Sequence, residues 1–210
     1  MKLVWRGKIS KENSFPEAEI PQEAQVFVDG SSPWKGYIAI IPILALAYGA
    51  AVIKKLLTPG VHLSCYGLII GICLAVIFIT VHELLHAVCC PSGGTIEFFY
   101  SIYGISAVPT SPIPKWRYVF VALCPALILG LIPMFLWVFS PAEYRMFNSI
   151  IFGFSVGSLS VCTADISNAV SAVIKMPKGS VLQVSGMKGY WYVPRRINQI
   201  HNYRDGSHHS

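Results

Sequence analysis

Four apolar stretches, at residues 37–57, 61–90, 117–139 and 146–174, constrain this 210-residue chain more than any other feature of it. Each supplies the roughly 20 helical residues needed to cross a ~30 Å hydrocarbon layer. Their ends carry residues that stop helices: Lys54-Lys55, Pro59-Gly60, Pro91, Pro141 and Pro177. With 54% of residues apolar and only 12% charged, the composition excludes an ordinary soluble domain. The net charge of +6 does not point to nucleic acid, because Lys and Arg flank the apolar stretches and form no patch interleaved with aromatics. Six cysteines inside or at the ends of these stretches do not read as a secreted disulfide framework.

The expected fold is therefore an all-α integral membrane protein with four transmembrane helices. That topology puts both termini and the 91–116 loop on one side, where they carry thirteen Lys and Arg against three on the other. The bias places both termini in the cytoplasm. Residues 1–36 are polar and mixed in charge, so they read as a cytoplasmic segment without a cleavable signal peptide. Short β-branched or aromatic runs at 2–9, 24–28, 95–108 and 181–193 predict strands, the last broken by a Gly-Met-Lys-Gly turn. They give a small cytoplasmic β cap from the termini, with 175–205 as its C-terminal part, and a β-like loop after the second helix. The closing Gly206-Ser207-His208-His209-Ser210 resembles a tag remnant, which sets His208 and His209 aside.

Ionisable groups deep in a membrane helix cost about 2.5–3.5 kcal/mol each, so each needs a reason. Four lie well inside the stretches: His82, Glu83, His86 and Asp165. His82 and His86 stand four residues apart on one helix face, a spacing that lets both imidazoles hold one Zn²⁺. Glu83, turned by about 100° from His82, reaches the open side of such an ion, where it can bind a water and move its proton. Catalytic zinc takes a third protein ligand, and Ala87-Val88-Cys89-Cys90-Pro91 offers no further His. Asp165 is the other carboxylate buried in a stretch. Counted along the helices at 1.5 Å per residue, His82, His86 and Asp165 lie roughly 13, 7 and 15 Å from the cytoplasmic ends of their spans, a similar depth.

Other readings stand beside this one. Asp165 could instead bond helix neighbours such as Asn168 or Thr163, and Asn168, on the same face, could hold the aspartate or a substrate carbonyl. Cys89 and Cys90 could bind metal softly, although packing at a helix end suits them better. Pro125 predicts a kink that frees backbone groups beside a polar cavity. The 95–108 strand could pair with an extended substrate or form a surface hairpin. His62, near the outer end of its helix, receives no role.

A membrane-embedded His-Glu-x-x-His joined to an aspartate on a later span resembles the site-2-protease class of intramembrane metalloproteases. More narrowly, residues 30 to 195 resemble the DUF3267 family of zincin peptidases. The resemblance rests on Val81-His82-Glu83-Leu84-Leu85-His86-Ala87, on Asp165-Ile166-Ser167-Asn168 and on Gly189-Tyr190-Trp191-Tyr192-Val193. It implies a four-span zinc metalloendopeptidase of the bacterial cytoplasmic membrane, with His82, His86 and Asp165 as zinc ligands and Glu83 as catalytic base. The expected partners are the lipid bilayer and a membrane-anchored or partly unfolded peptide substrate. The rivals are a non-catalytic scaffold or sensor with a structural metal site and a metal-dependent carrier. A carrier would need polar residues through the outer halves of the helices, which show almost none.

Overall fold

A computed structural model describes residues 2–9, 15–28, 40–101, 104–186 and 188–194. The expected start of the first span at 37–39, Met187 in the expected turn, the segment from 195 and the 206–210 tail lie outside them. Strands β1 (Lys2–Lys8) and β2 (Gln25–Val28) precede helices α1 (Ile40–Leu57), α2 (Cys65–Ile77) and α3 (Ile79–Cys89). Strands β3 (Thr95–Ser101), β4 (Gly104–Pro109) and β5 (Ile113–Pro114) follow. Next come α4 (Lys115–Pro125), a π-helical turn over Ala126–Leu131, and α5 (Ile132–Phe139). Helices α6 (Arg145–Val161) and α7 (Thr163–Lys175) lead into the hairpin β6 (Val181–Ser185) and β7 (Lys188–Tyr192).

Two of the four apolar stretches are single helical runs long and apolar enough to cross a membrane: Ile40–Leu57 and Lys115–Phe139. The other two are broken. Helices α2 and α3 meet at 47° and α6 and α7 at 51°, so the chain has two such runs, or up to four if each bent pair is one span. The second stretch also starts later than expected. Residues 61–64 are not helical, and α2 begins only after Ser64, whose N–H donates to Ser149 Oγ at 2.8 Å. Large apolar side chains such as Ile41, Tyr48, Leu56, Phe135 and Phe139 are exposed on α1 and α5. An apolar surface of that kind needs an apolar neighbour.

The tightest packing joins α2 to α6. Gly67, Gly71 and Ala75 on α2 meet Ser149, Gly153 and Gly157 on α6, small residues repeating every fourth position so that the two backbones touch. A Cβ at Gly71 would lie 2.3 Å from the Ile150 carbonyl oxygen, and one at Gly153 would lie 2.5 Å from that of Leu68. Above this seam each helix breaks at one residue, Phe78 or Cys162. These have nearly the same backbone angles, φ −76° and ψ 4° for Phe78 and φ −77° and ψ 5° for Cys162. The seam holds the lower halves together, and the two bends deliver α3 and α7 to one level.

Both upper helices lean on α4. Buried Lys115, at the start of α4, donates from Nζ to the carbonyl of Val173 at 3.0 Å and to that of Met176, closing the end of α7. Lys54, expected to flank a span in water, is instead fully buried. Its ammonium donates to the Ser140 carbonyl at the end of α5 and lies 5.8 Å from the Trp137 ring. A long cationic side chain has thus folded back to satisfy a carbonyl left over at a helix terminus.

The strands form at the expected places, but they do not make a single cap from the termini on an all-α bundle. Strand β1 pairs in parallel with β3, giving a three-stranded sheet ordered β1-β3-β4. Strand β2 joins the C-terminal hairpin in a four-stranded sheet ordered β2-β7-β6-β5. The protein is thus predominantly helical with two sheets. The reason is that a two-stranded hairpin is marginal alone, so each terminal segment recruits strands from the loop between α3 and α4.

The α2–α6 seam yields a direct test. Gly71→Ala, which drives a methyl into backbone, is expected to destabilise the purified protein by about 3 kcal/mol or more. Gly49→Ala, which meets nothing within 4 Å, is expected to leave the thermal unfolding midpoint nearly unchanged.

Candidate metal centre

Helix α3 places His82 and His86 one turn apart, and their Nε2 atoms lie 3.0 Å from each other. Asp165 comes from α7, three residues beyond the Cys162 bend, with Oδ2 at 3.1 Å from His82 Nε2 and 3.5 Å from His86 Nε2. Ligand bonds of about 2.0–2.2 Å in a tetrahedral array set neighbouring donor atoms about 3.3–3.6 Å apart. The triangle made by these three side chains is close to one face of that array. Among the described residues, this is the group of His, Cys, Asp and Glu that could hold a metal ion, and no fourth such residue joins it.

The rings are held from behind. His86 Nδ1 lies 2.9 Å from the Val121 carbonyl on α4. A carbonyl only accepts, so Nδ1 carries a proton there and Nε2 is the nitrogen that faces into the triangle. His82 is buried, and its Nδ1 lies 3.6 Å from Cys162 Sγ. Metal-binding imidazoles are typically held in this way through the nitrogen that does not face the ion. Two imidazoles so oriented and one carboxylate are a donor set suited to zinc.

The triangle opens on one side into a cavity of about 350 Å³ between the two sheets. Glu83, His86 and Asp165 lie at its floor, and Phe27, Val108, Tyr118 and Leu182 contribute to its apolar wall. Glu83 is not in the ligand triangle. Its Oε2 accepts from the Ala107 N–H of β4 at 3.4 Å. A carboxylate beside the open face, and outside the donor set, is arranged to handle a proton rather than to bind the ion.

The structure therefore brings together all four residues that the sequence singled out for metal and base. Asn168 is half-buried on α7 and is not part of the cavity lining. Cys89 sits against Cys124, and Cys90 lines the cavity, and neither joins the donor group. His62 is exposed. Sequence reasoning missed three participants: the Val121 carbonyl, the Cys162 thiol and the Ala107 N–H. Two of these are backbone groups that any residue provides. Cys162 carried a faint signal, being a buried cysteine just ahead of Asp165.

The model of the DUF3267 family, described as "Putative zincin peptidase", matches residues 75–181, just over half of the chain. The matched region contains α3, α4, α7 and all four residues of the centre. No curated protein and no solved structure matches the chain.

Purified protein is expected to bind a single zinc per chain by elemental analysis. His86→Ala and Asp165→Ala are each expected to lose it, whereas Asn168→Ala is expected to keep it.

Proposed function

The chain belongs to the DUF3267 family of putative zincin peptidases, and we propose that it is an intramembrane zinc metallopeptidase acting on membrane-associated proteins or peptides. The observation that carries this reading is the triangle of His82, His86 and Asp165 donor atoms at the foot of a cavity that also holds the Glu83 carboxylate. His82, His86 and Asp165 would hold the zinc. A bound zinc supplies a Lewis acid that polarises the scissile carbonyl and acidifies water.

The remaining chemistry belongs to the chain. Glu83 accepts the proton of the attacking water and returns it to the departing amine, so the nitrogen leaves neutral. Strand β4 is the outer strand of its sheet, and the Ala107 N–H points from it toward Glu83. An extended peptide can therefore add to that edge, its backbone aligned beside the base and its side chains against apolar walls. Those walls also keep bulk water from the reacting groups, which strengthens each electrostatic contact inside.

Placement within a bilayer is part of the same proposal. The proposed core has four crossings, built on Ile40–Leu57, the bent pair Cys65–Ile77 and Ile79–Cys89, Lys115–Phe139, and the bent pair Arg145–Val161 and Thr163–Lys175, with both termini in the cytoplasm. Exposed apolar helix surfaces support it, as does the excess of Lys and Arg on the side of the termini. The bends at Phe78 and Cys162 set α3 and α7 at an angle to the lower halves of their spans. What favours catalysis over a closed structural metal site is the missing fourth protein ligand among the described residues, on the side where the cavity opens.

Glu83→Gln separates the two readings. It is expected to retain zinc and to lower hydrolysis of a membrane-anchored peptide by about 100-fold or more, measured by product release in detergent or liposomes. Unchanged hydrolysis in the zinc-loaded variant would remove Glu83 from the mechanism.

A further inference from the structure

Pro125 is fully buried in the helical run Lys115–Phe139 and is itself neither a member of the ligand triangle nor a lining residue of the cavity. Its effect is felt four residues earlier. In an α-helix the carbonyl of residue i accepts from the N–H of residue i+4, and proline has no N–H to give. The Val121 carbonyl is therefore left without its helical donor, and the proline ring presses that same carbonyl outward. The next N–H along the chain, that of Ala126, goes to Leu123. Beyond it the helix widens into the π turn Ala126–Leu131, where the Ile132 N–H reaches back five residues to Leu127.

An orphaned carbonyl in apolar surroundings is costly and must find a donor. Here the donor is His86 Nδ1, at 2.9 Å. Taking the zinc reading of His82, His86 and Asp165 as its basis, we propose that Pro125 is a positioning residue for the metal centre. By withholding one backbone N–H, it dedicates the Val121 carbonyl to His86. That bond keeps the proton on Nδ1, turns the ring, and presents the Nε2 lone pair to the ion. A proline that only bent the helix would act on the centre through shape alone, and the ring proton would be free to reside on either nitrogen.

The test is the protonation pattern of the His86 ring, read by long-range ¹H–¹⁵N NMR on metal-free protein at a pH high enough that the ring's own ¹⁵N shifts report the neutral form. The parent is expected to show Nδ1–H. Pro125→Ala, which restores the N–H, is expected to shift the ring toward Nε2–H and to weaken zinc binding about 10- to 100-fold in a chelator competition. Pro125→Ala combined with Ala126→Pro keeps a proline in the run but frees the carbonyl of Ala122 instead, and it is expected to behave like Pro125→Ala. An Nε2–H ring in the parent overturns the proposal without any variant. So does a folded Pro125→Ala that keeps both the Nδ1–H ring and parental zinc affinity, or recovery of both in the shifted double variant. If the parent binds no zinc, the zinc reading fails, and the ring tautomer still decides whether Pro125 sets His86.

Discussion

Two imidazole nitrogens and a carboxylate oxygen within 3.5 Å of one another, set among apolar helices, are the contact on which the rest of this structure depends. Desolvated polar groups packed so closely need a counter-charge or shared protons, and a divalent cation supplies the first most completely. Much of the fold can be read as the means of bringing these atoms together. The glycine seam between α2 and α6 lets two backbones touch, the bends at Phe78 and Cys162 redirect the chain, and α4 holds both upper helices from behind through Val121 and Lys115.

The sheets contribute the other half of the arrangement. A metal triangle alone would be closed by any passing ligand. The loop strands β3 and β4, stapled by β1, and the β6–β7 hairpin, stapled by β2, raise walls around one open face. Because β4 is the outer strand of its sheet and sends a backbone N–H toward Glu83, the wall is also an edge to which extended chain can add.

The chemistry was more legible in the sequence than the shape. His82, Glu83 and His86 announced themselves by spacing, and Asp165 by the cost of burying a carboxylate, since both signals are local. The strands too were legible, from β-branched and aromatic runs. The helix breaks at Phe78 and Cys162 were not, because neither position carries Gly or Pro. The parallel pairing of β1 with β3 was equally hidden, as it joins residues about ninety positions apart. Lys54 misled for another reason. A lysine at the end of an apolar run normally reaches water, and here Lys54 turns inward to the leftover carbonyl and the hydroxyl of Ser140. Pro125 was visible as a disruption, but which carbonyl it released, and to whom, required knowing that α3 lies alongside.

X-ray absorption at the zinc edge of the purified, zinc-loaded protein tests the central claim most directly. The account predicts a first shell of nitrogen and oxygen alone at about 2.0–2.2 Å, with the outer-shell scattering of two imidazoles and a coordination number of four. A sulfur scatterer at about 2.3 Å would place a cysteine in the shell and contradict the His82, His86 and Asp165 centre.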